Sequence, residues 1–327
     1  MKEEEIRPKA IFDEYLRLAQ VDTKSYFGDV EREDGLCPAC ATKGDFSFSK
    51  FDFDYETCGR CHTLFVNPRP VASAFSKYYT ESSSSEYWAS TFYKETAEAR
   101  REKLWKPKAK AIQDILNRYA APLSWPQVID IGGGYGLFAQ ELHALCGQPP
   151  VVIEPGPRLA TVCRENDLQV IEKFLEDVKV SDLPVGPKAF VSFELFEHLH
   201  DPAHFLRCLS GLMNSGDLFI FTTLSGTGVD IQALWQDSKS VTPPHHLNFL
   251  NPQAVKILLE RTGLEALEVT TPGKLDIDIL VNSQSDIKDR FWRTFVATAT
   301  ELEKQQWQAL ISASGWSSHM MIVCGKP

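Results

Sequence analysis

The stretch Val128-Ile129-Asp130-Ile131-Gly132-Gly133-Gly134-Tyr135-Gly136-Leu137-Phe138 decides the fold. Val128 to Ile131 is a short, largely β-branched apolar run, and Pro126 just before it marks where a central strand can begin. Three consecutive glycines follow, with a fourth at Gly136, and then Leu137, Phe138, Leu142 and Leu145 recur at helical spacing. Strand, glycine loop and helix in that order set backbone N–H groups and a helix N-terminus beside a ligand. A dinucleotide loop has glycines at its first, third and sixth positions, and here the sixth is Leu137. The plainer alternative is a turn with no ligand, which sits poorly with the cost of about 1 kcal/mol for glycine against alanine at a helix start.

The glycines read Asp130-x-Gly132-x-Gly134-x-Gly136, a pattern that resembles motif I of the class I S-adenosylmethionine (SAM)-dependent methyltransferases. The resemblance implies a SAM site built on Asp130, Gly132, Gly133, Gly134 and Gly136. The following segments fit such a site. Val151 to Ile153 reads as a second buried strand ending in Glu154, 22 residues after Gly132, where a carboxylate can accept hydrogen bonds from both ribose hydroxyls. After a third strand near Leu168 to Ile171, the related enzymes turn over the adenine, which places Phe174-Leu175-Glu176 there, with Leu175 as the central candidate. Ala189 to Phe193 is the fourth strand, and ligands gather at strand ends of open α/β sheets, so Phe193 and Glu194 should flank the methionine end of the cofactor.

Asp201-Pro202 opens a helix, Leu218 to Phe221 is a fifth strand, Leu264 to Val269 a sixth, and His319 to Cys324 an antiparallel seventh. The expected fold class is therefore α/β, a Rossmann-like seven-stranded class I methyltransferase sheet. Residues 271–318 form an insertion before the last strand, with helices expected at 287–299 and 301–312 and a role as a lid or a dimer contact.

Three histidines are candidates for acting on the acceptor. His198 closes Glu194-x-x-Glu197-His198, which matches an acidic-His cluster that binds a divalent metal in some ubiquinone-pathway O-methyltransferases. Metal binding, acid/base work and a helix-start histidine without chemistry all stay open for it. His245 and His246 lie in a loop where the related enzymes carry a histidine, and histidine titrates near neutral pH. One of the pair as the base, or one of them merely orienting the loop, are both open.

Toward the N-terminus, Cys37-Pro38-Ala39-Cys40 and Cys58-Gly59-Arg60-Cys61 are two CxxC knuckles with seventeen residues between them. Four thiolates so spaced complete one tetrahedral Zn2+ site; a redox role is the rival, but neither motif opens a helix in a βαβ unit. Phe46, Phe48, Phe51, Phe53 and Tyr55 alternate with polar residues as a hairpin would. This zinc ribbon, then Asn67-Pro68-Arg69-Pro70, Tyr78-Tyr79 and Tyr87-Trp88 ahead of the glycine loop, resembles bacterial methyltransferases of surface-polysaccharide and sugar-modification systems. The resemblance implies a sugar or nucleotide-sugar acceptor, methylated at a hydroxyl or a carbon.

Composition bounds what remains. A 327-residue chain with 43% apolar and 24% charged residues is an ordinary globular protein. A net charge of -10 argues against a nucleic-acid partner, and no apolar run spans a membrane. Met1-Lys2-Glu3-Glu4-Glu5 lacks a signal-peptide core, so a cytoplasmic location is expected, and a homodimer is allowed. The expected divisions are an N-terminal helical segment (1–30), the zinc ribbon (31–80), a helical linker (81–120) that begins with a Ser82–Ser85 loop and is interrupted at Pro107, and the SAM domain (121–327). Two other functions compete with methyl transfer to a small molecule: a non-catalytic SAM sensor or scaffold, and an RNA-modifying methyltransferase.

Overall fold

The computed structural model describes residues 2–119 and 125–327. The division expected at 120/121 lies outside the described residues. Among the strands, β1 (Gly44–Lys50), β2 (Phe53–Cys58) and β3 (Leu64–Val66) belong to the cysteine-bearing region. The larger sheet takes β4 (Gln127–Ile131), β5 (Val151–Ile153), β6 (Gln169–Ile171), β7 (Lys188–Ser192) and β8 (Leu218–Leu224). It is completed by β10 (Glu265–Thr270) and β11 (His319–Gly325), with the two-residue β9 (Asn248–Phe249) standing outside it.

The seven-stranded sheet has the order β10-β11-β8-β7-β4-β5-β6. β11 is antiparallel to both its neighbours, and the pairs from β8 to β6 are parallel. Strand alternation explains why both faces are covered. Ile129, Ile131, Phe190, Phe219 and Phe221 point to one face and pack under Phe205, Leu206, Leu258 and Leu259. Val128, Ala189, Val191, Leu218 and Ile220 point to the other, beneath Ile112, Leu116, Leu137 and Phe138. Helix Pro202–Leu212 is capped by Asp201, whose carboxylate accepts from His204 N at 2.9 Å, and Pro252–Arg261 by Asn251, which accepts from Ala254 N at 2.9 Å.

Two expectations between the cysteines and the sheet are overturned. Ser82–Ser85 is not a loop: Ser82 accepts from Ser85 N and caps a helix starting at Ser83, and Ser84 N donates to buried Asp22. Four serines in a row are as good a cap as a loop. Nor does Pro107 break the rod. Helices Ser83–Tyr87, Tyr93–Arg100 and Lys106–Tyr119 run on through π-helical turns at Trp88–Phe92 and Arg101–Trp105. The second widened turn lies just ahead of the proline, whose missing N–H and ring it accommodates.

The cysteine-bearing strands form a sheet of order β9-β3-β2-β1, closed at one edge by a strand from the far side of the chain. Asn248 and Phe249, one residue beyond the two histidines, pair with Phe65 and Leu64. In the insertion, a helix at Asp276–Asn282 precedes the two expected ones, found at Arg290–Thr298 and Glu301–Ala313. Ile277, Ile279, Leu280, Val296 and Ile311 give it a small core of its own, which Leu234 joins. Among the described residues no helix is long and apolar enough to cross a membrane.

Candidate active site

The glycine loop leaves β4 and enters helix Leu137–Cys146 with Gly132, Gly134 and Gly136 all at positive φ. At Gly136 the requirement is double. Its φ is 70°, and a Cβ there would lie 2.5 Å from Leu168 Cδ1. At Gly133 a Cβ would meet the Asp130 carboxylate at 2.8 Å, so the loop must pass directly over that acid.

Asp130 and Glu154 end adjacent parallel strands, and their carboxylates face different tasks. Asp130 is 2% exposed, its Oδ2 has no partner, and burial together with the nearby Glu154 pushes its pKa up to about 7. A buried carboxylate oxygen without a donor is a ready place for the amino group of a ligand. Glu154 instead holds backbone: Oε2 accepts from Gly134 N at 3.0 Å and Oε1 from Gly156 N at 2.9 Å. Burial raises its pKa, and these two donors act against the rise. Each oxygen keeps a second lone pair for a ribose hydroxyl. These features fit SAM. Of the trio expected over the adenine, Leu175 is buried in the core beside Val178, while Phe174 and Glu176 are exposed.

Phe193 packs edge-on against Phe138 and borders a small pocket shared with Asp130, Gly132 and Gly133. The next residue, Glu194, sits at φ 54°, a left-handed backbone that a glutamate adopts only under constraint from its surroundings. Its carboxylate accepts from Lys108 Nζ at 3.1 Å and Thr222 Oγ1 at 3.2 Å, with His319 Nδ1 at 3.8 Å. Burial alone would raise its pKa, but Lys108 and His319 hold it well below the usual carboxylate range. A cavity of about 220 Å3 opens beside it, walled in part by Trp105, Leu224 and Met321.

The three candidate histidines converge. The rings of His198 and His246 are 4.8 Å apart between centroids, and those of His198 and His245 are 6.2 Å apart. Their partners separate them. His245 Nε2 is bonded to Tyr78 Oη at 2.7 Å, and its ring lies among Tyr15, Tyr78 and Tyr79. The N-terminal helix Lys9–Phe27 thus contributes to the site through Tyr15. His246 donates its Nδ1–H to the Ser240 carbonyl at 2.6 Å, which leaves Nε2 with a free lone pair. Burial lowers the pKa of His246 to about 4 and, helped by His246, that of His245 to about 3, so both are neutral at pH 7. His198 is likewise pushed down by burial and by the other two rings. Beside them Glu197 is 2% exposed, accepts from Thr223 Oγ1 at 3.0 Å, and is pushed up to about 8 by burial and Glu194.

Cys37, Cys40, Cys58 and Cys61 are buried, with all four sulfurs within 4.8 Å of one another. Cys37 Sγ lies 3.5 Å from Cys61 Sγ, and Cys40 Sγ lies 3.3 Å from Cys58 Sγ. Tetrahedral sulfurs around zinc would stand about 3.8 Å apart, given Zn–S bonds of about 2.3 Å. The two knuckles repeat one backbone design: Ala41 N donates to Cys37 O and His62 N to Cys58 O, each at 2.9 Å, with φ 56° and 58°. The donor set fits Zn2+. His62 is exposed and outside the cluster.

The sequence reading missed Lys108, Arg100 and Arg7, which reach the cavity beside Glu194 from segments read as linker and N-terminal helix, and His319, which lines it from the start of β11. A Lys-rich amphipathic helix gives no sign of which lysine turns inward.

A family model described as a methyltransferase domain matches residues 99–269. The chain is similar to a ubiquinone biosynthesis O-methyltransferase of Methylocella silvestris, 32% identical over 116 residues, which is 34% of this chain and 45% of that protein. A second ubiquinone biosynthesis O-methyltransferase, from Xylella fastidiosa, is 30% identical over 112 residues, 32% of this chain and 45% of the relative. The match thus spans less than half the length of these curated relatives. Among solved structures, a SAM-dependent methyltransferase of Archaeoglobus fulgidus is 15% identical with a TM-score of 0.46, covering 72% of this chain and all of that one.

Proposed function

The chain belongs to the methyltransferase-domain family and is a SAM-dependent methyltransferase, and we propose that it methylates a hydroxyl of a small-molecule acceptor, a sugar or nucleotide sugar, with His246 as the base. The observation that carries this is the single hydrogen bond from His246 Nδ1 to Ser240 O, which fixes the tautomer in which Nε2 is unprotonated and free to accept a proton. The ubiquinone-pathway relatives are named O-methyltransferases, which favours oxygen over carbon as the accepting atom.

SAM, when bound, supplies an electrophilic methyl group on a sulfonium. Asp130 holds the cofactor's amino group, Glu154 its ribose hydroxyls, and the N–H groups of the glycine loop its methionine end. His246 Nε2 accepts the acceptor's hydroxyl proton as that oxygen forms its bond to carbon, and S-adenosylhomocysteine leaves. His245 is held by Tyr78 and orients the loop, while the His198 ring packs against that of His246. Zn2+ on the four cysteines is structural. It braces the sheet that carries β9 and, one residue before that strand, the histidine loop.

A specific observation favours a second reading of the same residues. Glu197, His198 and His246 present ligand atoms within 4.8 Å of one another, as a divalent cation would need. A cation would require Glu197 to ionise, against its raised pKa. Labelled SAM incubated with nucleotide sugars by protein that keeps its zinc, in Mg2+-free buffer and with added Mg2+, separates the two. Transfer at the same rate without Mg2+ supports the His246 base, transfer that needs Mg2+ supports the cation, and no transfer to any hydroxyl acceptor removes both.

A further inference from the structure

Five cations line the cavity beside Glu194: Arg7, Arg100, Lys103, Lys108 and Lys274. Lys103 pairs with Glu5 at 2.9 Å and Lys108 with Glu194 at 3.1 Å. Among the described residues, Arg7, Arg100 and Lys274 form neither an ion pair nor a side-chain hydrogen bond. The other carboxylate in the wall, Asp276, is turned to scaffold, accepting from Ser317 Oγ and Ser318 N, both at 2.7 Å.

Arg100 is the most telling of the three. It is 8% exposed, and its buried Nε has no partner. A guanidinium cannot shed its charge to escape such a site, so burial without an anion is unfavourable. Arg7 stands close enough to add repulsion to that burial, and Glu194, the carboxylate in range of both, is already engaged by Lys108 and Thr222. In a chain of net charge -10, three unanswered cations drawn from the N-terminal segment, the helical rod and the insertion are not a reflection of composition. They form a place prepared for negative charge, bounded by the apolar surfaces of Trp105, Leu224 and Met321.

We infer that this cavity is the acceptor subsite and that the acceptor is an anion, its phosphate or carboxylate group held by Arg7, Arg100 and Lys274. This rests on the proposed transfer to a small molecule and narrows its substrate class. The carboxylate of SAM is a single group; one guanidinium suffices for it and leaves the other cations unanswered. A planar guanidinium beside flexible cations suits either oxyanion, since both accept paired N–H bonds.

The test needs no turnover. Pyrophosphate and, separately, malonate are titrated calorimetrically into the full chain saturated with S-adenosylhomocysteine. The same titrations are made on the Arg7→Gln/Lys274→Gln double variant, whose changes are at half-buried and exposed positions and spare buried Arg100. Binding of either anion, weakened roughly tenfold or more in the double variant with SAM affinity unchanged, is the expected result. Preference for pyrophosphate assigns a phosphorylated acceptor, and preference for malonate a carboxylated one. The inference is overturned if neither anion binds, if the double variant binds as well as the parent, or if SAM affinity falls in parallel, which would give these cations to the cofactor. Because methyl transfer is not read, a chain that binds anions but methylates no hydroxyl would overturn the proposed function alone.

Discussion

The Nδ1–H of His246 points at the Ser240 carbonyl, 2.6 Å away, while Tyr55 donates its hydroxyl to the carbonyl of the same histidine at 2.9 Å. Ring and backbone are thus both held, one by the loop and one by β2. His246→Gln should lower kcat by about 10²–10⁴-fold, the usual worth of a general base, and leave SAM affinity unchanged. A kcat within threefold of the parent, on the order of RT, would remove His246 from the chemistry.

Asp130 makes SAM binding pH-dependent. Burial and Glu154 raise its pKa to about 7, so below that pH the carboxyl is mostly protonated and must lose its proton to hold a cationic amino group. SAM affinity should rise by up to about tenfold per pH unit from pH 5 toward 7, a window in which the ligand's amino group stays charged. Asp130→Asn should flatten the profile and bind weakly throughout. Calorimetry across that range decides it, and an equally steep profile in the variant would assign the titration elsewhere.

Glu154 ties the glycine loop to the next turn through Gly134 N and Gly156 N. Glu154→Ala removes both bonds as well as the ribose acceptor, and should weaken SAM by about tenfold or more, since hydrogen bonds to a charged group contribute about 1.5–3 kcal/mol each. Unchanged affinity would sink the ribose assignment.

Zinc removal should reach the histidines. Asn251 Nδ2 donates to Cys61 O at 2.7 Å, Arg261 Nη1 donates to Ala39 O at 2.6 Å, and β9 pairs with β3. The purified protein should contain about one zinc per chain. Stripping it with a chelator should abolish methyl transfer while the glycine loop, on the other sheet, still binds SAM. Metal-free protein with full activity would refute the structural role.

What the sequence revealed and what it hid follow from one distinction. The glycine loop, Asp130 and Glu154 lie within a single βαβ unit, so their spacing along the chain reports their spacing in space. The paired CxxC knuckles are legible for the same reason. The serine run and Pro107 were misread because both depend on context: a serine cap needs a helix behind it, and a proline is tolerated once a π turn precedes it. The pairing of β9 with β3 joins residues 183 positions apart in Asn248 and Phe65. The meeting of Arg7, Arg100 and Lys274 at one cavity is of the same kind. No local pattern encodes such contacts; they arise only when the N-terminal helix, the rod and the insertion close over the sheet.

The most direct test of a transferase with a neutral histidine base is transfer of labelled methyl from SAM to a panel of nucleotide sugars, neutral glycans and RNA, read by mass spectrometry in parent and His246→Gln protein. Methylation of a hydroxyl on a nucleotide sugar, lost in the variant, is the predicted result. Label in RNA, or no transfer to any hydroxyl-bearing small molecule while SAM is tightly bound, would contradict it.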